Sequence, residues 1–395
     1  MLIINPSSQS SIHLWLKGLL LATLTALFAC LFSVFNAIPP VKGFELPGDG
    51  KIFSFTDKPL FQTRFVSNGK TRSTHSAAVV EISGGRLFAC WYGGSRERGR
   101  DVCIYSSIFS PQKGVWNSER VLITVEDTQK NLGRYIKTLG NPVVIRDENS
   151  RLWLFYVSVS FGGWSGGAIN LITSSDEGKT WTPARRLIAS PCFNLGTLVK
   201  GPPFLFENGA IGLPVYHELI GKFGEFLCLD RERHVIRKIR LSWGRYSIQP
   251  VIVPFTQAAG ICFMRYCGNS HPRVLSARTT YGGTIWSHPV KTDVPNPNAA
   301  VASIRMQEGL LLLIHNNSED RRCDITLSYS ADNGNTWRAI YEFERDEMDC
   351  DDHGTRFSYP CIIRAQNGDF HLLYSWNNSH IKHVRFNSAW VEQNL

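Results

Sequence analysis

The stretches Ser174-Ser175-Asp176-Glu177-Gly178-Lys179-Thr180-Trp181 and Ser330-Ala331-Asp332-Asn333-Gly334-Asn335-Thr336-Trp337 decide the fold. Both read S-x-D-x-G-x-T-W, and each residue type has a task in a tight turn between strands. The Asp carboxylate accepts backbone N–H groups, Gly takes dihedrals closed to residues with a Cβ, and Trp packs on a neighbouring unit. Thr279 to Trp286 is an eroded third copy, with Tyr281 at the Asp position and Gly283 and Trp286 kept. A turn repeated in this way implies a repeated unit around it.

That unit is a hairpin. Six segments share a small, polar or Pro start, an apolar run, a turn and a second apolar run: His75–Gly94, Asn141–Ser158, Gly201–Glu218, Gln249–Tyr266, Asn298–Asn316 and Tyr359–Trp376. Matching starts at 77, 142, 203, 250, 299 and 360 leave room for two more strands per copy. Four-stranded units repeated radially make an all-β, six-bladed β-propeller. Ile381–Phe386 reads as the third strand of the last blade, and Phe61–Val66 as its fourth, closing the ring. Trp181, Trp286 and Trp337 are expected to be buried between blades.

Composition agrees with many short strands: 12% aromatic residues, with 33 Gly and 19 Pro scattered along the chain. Lys plus Arg number 42 against 33 acids, a formal charge of +9. No zinc-finger spacing, RNP motif or basic helix accompanies that charge, so nucleic acid is not expected, and an anionic lipid or a carboxylated sugar remains as an acidic partner. The ten cysteines form no CxxC pair, and neither metal nor cofactor is implied. Asp349-Cys350-Asp351-Asp352-His353 reads as an acidic loop. Gly18 to Phe35 carries no charge and follows Lys17. It is read as a signal-anchor or transmembrane helix inside a segment 1–40, followed by a linker at 41–60 and the propeller at 61–395. The propeller is then extracytoplasmic, at a membrane or cell surface, or secreted if the segment is cleaved.

A hairpin's first and last residues lie at one end, so six hairpins of one orientation converge on one mouth. The starts bring His75, Asn141, Lys200, Gln249, Asn298 and Tyr359 there, and the far ends bring Trp91, Glu218, Arg265 and others. Loops add Arg96, Glu97 and Asp101 in blade one and Arg322 in blade five. Arginine forks bind carboxylates bidentately, aromatic faces bind sugar rings, and Glu and Tyr supply acid, base or nucleophile.

Hairpins, boxes and mouth together resemble the sialidase superfamily, specifically bacterial BNR-repeat-like sialidase-family proteins, over roughly residues 70–390. The resemblance implies three arginines on a substrate carboxylate, a Tyr nucleophile activated by Glu, and an Asp acid/base, outside the usual two-carboxylate scheme. Arg265 matches the second arginine, Arg322 in Arg322-Cys323-Asp324-Ile325 the third, and Tyr359 in Ser358-Tyr359-Pro360 the nucleophile. At the first arginine's Arg-Ile-Pro motif this chain has His75-Ser76-Ala77, and at the activating Glu it has Gln249, which cannot act as a base. The expected assignment is a glycan hydrolase on an anionic sugar. Arg265 and Arg322 clamp the carboxylate, Tyr359 works at the anomeric centre and Glu218 replaces the missing base. Glu97 or Asp101 donates the proton, while His75 and Gln249 orient the substrate. Arg96, Asn141, Lys200, Asn298 and Trp91 are further binding candidates. A lyase on uronic-acid polysaccharide, using His75 and Tyr359, is the alternative, and a silent glycan-binding propeller is the third reading.

Overall fold

The computed structural model describes residues 15–28, 43–46, 58–190, 193–244, 246–346 and 356–395. The chain separates into two compact units, Met1–Pro40 and Val41–Leu395. The first carries a helix over 15–28. Among the described residues no helix is long and apolar enough to cross a membrane. The expected anchor therefore finds no support there, and 29–35 of its span lie outside the described residues, as does the acidic loop at 349–353.

The second unit is the expected ring of six antiparallel sheets. Their inner strands are Ser73–Glu81, Thr138–Arg146, Thr197–Val199, Ser247–Pro254, Ala302–Gln307 and Phe357–Arg364. Phe61–Phe65 pairs antiparallel with His380–Phe386, so an N-terminal strand completes the last blade and closes the ring. The third blade departs from the pattern. Thr197–Val199 and Phe204–Leu205 both pair with Ile211–His217, because Gly201-Pro202-Pro203 interrupts the inner strand.

Both faces of each sheet are buried. Alternate residues of one strand go to opposite interfaces, as strand geometry requires. Val251 and Val253 pack towards blade five, while Ile252 packs towards blade three. Six buried clusters result, one at each blade interface.

The turn boxes sit where blades need them. Thr180 N–H and hydroxyl donate to Asp176 at 2.9 and 2.6 Å, which holds that carboxyl well below its usual range. In the other intact box the effect of slight burial is outweighed by hydrogen bonds from Thr336 and Ser330, and Asp332 is held at about 2. The tryptophans each lie on the preceding blade: Trp181 on Phe88, Trp286 on Phe226, and Trp337 on Phe263. They are half-buried rather than buried, since one ring edge stays at the outer wall. Ser174 pairs with Leu152 and Gly167 with Val159, so the boxes occupy the end of the ring opposite the mouth.

The expected linker is also corrected in its described part. Phe44 is fully buried between blades three and four, against Phe204 and Phe206. Its N–H donates to the Gln257 carbonyl at 2.8 Å, and Glu45 N–H donates to the Leu205 carbonyl at 3.0 Å. These residues are an arm of the propeller.

Candidate functional site at the propeller mouth

The mouth is built by one device used repeatedly. Near the start of the inner strand in blades one, two, four and six the register slips by one residue, between His75/Ala78, Gly140/Val143, Ile248/Val251 and Ser358/Cys361. Such a bulge sets two residues against one and re-aims a side chain. The bulged residues adopt left-handed backbone: Ser76 (φ 56°), Asn141 (φ 45°), Gln249 (φ 55°) and Tyr359 (φ 56°). Asn298 (φ 52°) holds the same place in blade five. Lys200 holds it in blade three, at the break in the strand. Asparagine tolerates this conformation, whereas Gln and Tyr adopt it at a cost of roughly 1–2 kcal/mol.

These positions converge on Tyr359. Arg265 Nε donates to Asn298 Oδ1 at 2.7 Å and its Nη1 to Gln249 Oε1 at 3.2 Å. Arg322 Nη2 donates to the Asn298 carbonyl. Burial lowers the Arg322 pKa and the neighbouring Arg265 charge lowers it further, while Tyr359 opposes both. Two guanidinium groups therefore sit side by side, and among the described residues neither is ion-paired to a carboxylate. Lys200 Nζ lies 5.8 Å from the centre of the Tyr359 ring. His75 meets the same ring edge-on, with centroids 6.1 Å apart. Burial lowers the His75 pKa, with Glu97 opposing and Arg322 assisting, so the imidazole is neutral at pH 7. Its Nδ1 is buried with no hydrogen-bond partner among the described residues.

Of the expected acids, only Glu97 joins this group. It accepts from Trp164 Nε1 at 3.1 Å and acts electrostatically on His75 and Tyr92. Asp101 instead closes its own loop, accepting from the Ser95 N–H and hydroxyl at 2.7 and 2.9 Å. These bonds outweigh slight burial and hold its carboxyl low, the wrong direction for a proton donor. Arg96 is exposed in that loop and pairs electrostatically with Asp101. Glu218 stands at the rim; burial raises its pKa, against Lys222 and Arg265. Its charge acts on Tyr216, which stands between it and the centre. Trp91 is corrected outright. It is buried in the interface of blades six and one, stacked on Tyr105, because strand alternation turns it away from the mouth and turns Tyr92 in.

Residues 85–372 match the family model of the BNR repeat-like domain. The chain belongs to that family. No curated protein sequence matches it. Solved structures do. A Hadza microbial sialidase is 16% identical, with a TM-score of 0.65 over 81% of this chain and 67% of that one. The intramolecular trans-sialidase from Ruminococcus gnavus is 12% identical, with a TM-score of 0.64 over 83% and 97%. Trypanosoma rangeli sialidase is 14% identical, with a TM-score of 0.64 over 82% and 56%. At these identities the likeness is one of fold.

This BNR repeat-like mouth holds two further tyrosines and a tryptophan. Tyr92 meets His75 at 5.7 Å and Trp164 at 6.4 Å between ring centres. The Tyr216 hydroxyl accepts from Asn141 Nδ2 at 3.2 Å. Burial raises both phenols. Tyr92 is among the hairpin-end residues expected at the mouth; Tyr216 lies two residues before the hairpin end at Glu218, and Trp164 is in a loop without a pattern.

Proposed function

We propose that the mouth binds a carboxylate-bearing sugar and cleaves its glycosidic bond. The observation that carries this reading is the pair Arg265 and Arg322, adjacent, flanking Tyr359, and without an ion-paired carboxylate among the described residues. Two cations at close range are stable only with an anion in front of them. Gln249 and Asn298 fix Arg265 so that its guanidinium is pre-aimed. Glu97 is the acid of this scheme and Tyr359 the group at the anomeric carbon. The sialidase neighbours support a sugar acid as the ligand class.

A second reading rests on His75. A neutral imidazole with a free Nδ1 beside Tyr359 suits abstraction of the proton next to a uronic-acid carboxylate, with Tyr359 protonating the leaving oxygen. Incubating the protein with sialylated and uronic-acid glycans distinguishes the outcomes. Released reducing sugar without ultraviolet absorbance marks the hydrolase, an unsaturated product absorbing in the ultraviolet marks the lyase, and binding without either marks a lectin-like propeller. Arg265→Lys keeps the charge but loses the fork. It is expected to weaken carboxylated ligands about tenfold or more and leave neutral ones alone. Equal affinities for both ligands would sink the clamp.

We also place the propeller outside the cytoplasm. Cys323 is disulfide-bonded, which suits an oxidising compartment. Attachment to a membrane through Gly18–Phe35 belongs to the same proposal. Fractionating the full chain beside residues 41–395 tests it, and equal partitioning of the two rejects it.

A further inference from the structure

Blades three and six face each other across a six-blade ring. Lys200 belongs to blade three, and its ammonium lies over the ring of Tyr359 in blade six. It also acts electrostatically on Cys361, on the inner strand of blade six. The lysine therefore reaches across the axis, and its charge sits at the floor of the mouth. Only 6% of the residue is exposed. Among the described residues its ammonium has neither an ion pair nor a hydrogen bond, and it lies 5.8 Å from the centre of the Tyr359 ring.

A buried ammonium needs an anion or several acceptors to offset lost hydration. Elsewhere in this chain buried cations are paired in this way: Arg233 with Asp147, and the largely buried Lys382 with Glu344. A structural lysine would be expected to have such a partner. The interruption at Gly201-Pro202-Pro203 is what admits Lys200 to the floor. A Cβ at Gly201 would stand 1.9 Å from the Pro250 carbonyl oxygen, so blade three can approach the bulge that carries Gln249 only at a glycine. Gln249 in turn holds Arg265. Lys200, Gln249 and Arg265 are thus one connected piece.

We propose that Lys200 is the third cation of the acid-binding site, so that the ligand's carboxylate is held over blades three, four and five by Lys200, Arg265 and Arg322. This rests on the carboxylate reading given above and adds to it the seat of the acid. His75 and Ser76 of blade one, where the resemblance calls for an arginine, are released from charge binding. A lysine is a point charge without a fork, so it neutralises the acid while the two arginines set its plane.

The test uses the full chain and four probes: the methyl glycosides of N-acetylneuraminic acid and glucuronic acid, and the carboxyl methyl ester of each. Calorimetry on Lys200→Met is expected to show a ten- to hundredfold loss for the bound acid, with ester affinity unchanged. Lys200→Arg is expected to restore most of it. An equal change for acid and ester, or none for either, overturns the role of Lys200. Arg265→Lys is measured beside it. If that variant discriminates acid from ester and Lys200→Met does not, only Lys200 is wrong. If neither discriminates, or neither acid binds the wild type, the carboxylate reading itself fails. Should Lys200→Met not fold, 13Cε-lysine-labelled wild type is titrated instead, with the Lys200 signal assigned by its loss in Lys200→Arg. A shift of that signal with acid but not ester supports the proposal, and an unmoved signal rejects it.

Discussion

Acid should destabilise this propeller through one histidine far more than its surface charges suggest. His315 closes the fifth hairpin at 1% exposure, with Nδ1 at 3.1 Å from the Asn316 carbonyl and Nε2 at 2.8 Å from the Ser328 hydroxyl. Nδ1–H donates to the carbonyl, and in the neutral ring Nε2 accepts from the Ser328 hydroxyl. Burial lowers its pKa to about 4, with the Asn316 carbonyl opposing. Unfolded, the same ring titrates near 6.5. The folded pKa is depressed, so the neutral form's contribution is complete above the unfolded pKa. It is lost as pH falls through 6.5 and levels off near 4. At pH 5 the loss is about 2 kcal/mol, and that figure changes little if the folded value is lower still, because the folded ring is already almost fully neutral there. Urea denaturation of wild type and His315→Gln at pH 8, 6.5 and 5 isolates the effect from other titrating groups. The wild type is expected to lose about 2 kcal/mol more than the variant between pH 8 and 5. Parallel pH dependences would refute the reasoning. The buried pair His371 and His383, at 2.9 Å, shifts in the same direction and steepens both curves equally.

Two further outcomes follow from the packing and the mouth. Phe44→Ala is expected to cost roughly 3–5 kcal/mol in chemical denaturation, the range for a fully buried Phe, and a loss below about 1 kcal/mol would return residues 43–46 to linker status. Gln249→Glu puts a carboxylate 3 Å or so from Arg265 and so occupies the fork. It is expected to weaken carboxylated-glycan binding by roughly tenfold in calorimetry while supplying the base that Gln cannot be, and unchanged affinity would show that Arg265 does not face the ligand acid.

The blades were legible because their signals are local. Apolar runs, turn residues and the S-x-D-x-G-x-T-W boxes lie within ten residues of each other, and closure by Phe61–Phe65 followed from counting strands. Trp91 and Tyr92 were not separable. Both faces of a blade are apolar, so a one-residue choice of face leaves no polar contrast to read. Glu97 and Asp101 differ only through loop geometry, which lets Ser95 cap one and not the other. Phe44 stands alone among Gly and Pro, with no periodicity to mark it as core. Lys200 was placed at the mouth by its hairpin start, but its reach across the axis depends on Gly201 passing Pro250. No strand pattern contains that.

What remains is where a proton would go, and His75 decides it. Tyr359 is flanked by Arg322, Lys200 and a neutral imidazole, whereas Glu97 acts on His75 and Tyr92. The influence of Glu97 therefore reaches the centre through the imidazole, while Glu218 acts on Arg265 and Tyr216. In a hydrolase His75 orients the sugar, and an uncharged residue of similar size that still hydrogen-bonds replaces it tolerably. In a lyase the imidazole is itself the base, and an amide has no basic nitrogen to replace it. His75→Gln is thus expected to keep turnover within about tenfold for the hydrolase. For the lyase it is expected to remove at least 10²-fold of kcat, the usual contribution of a general base, with KM little changed. Because burial keeps the wild-type imidazole neutral, a lyase rate should also persist below pH 6.5, where an exposed histidine would already be protonated. A kcat that His75→Gln reduces by less than threefold, on any glycan the protein cleaves, would remove His75 from the chemistry and leave Tyr359 with Glu97.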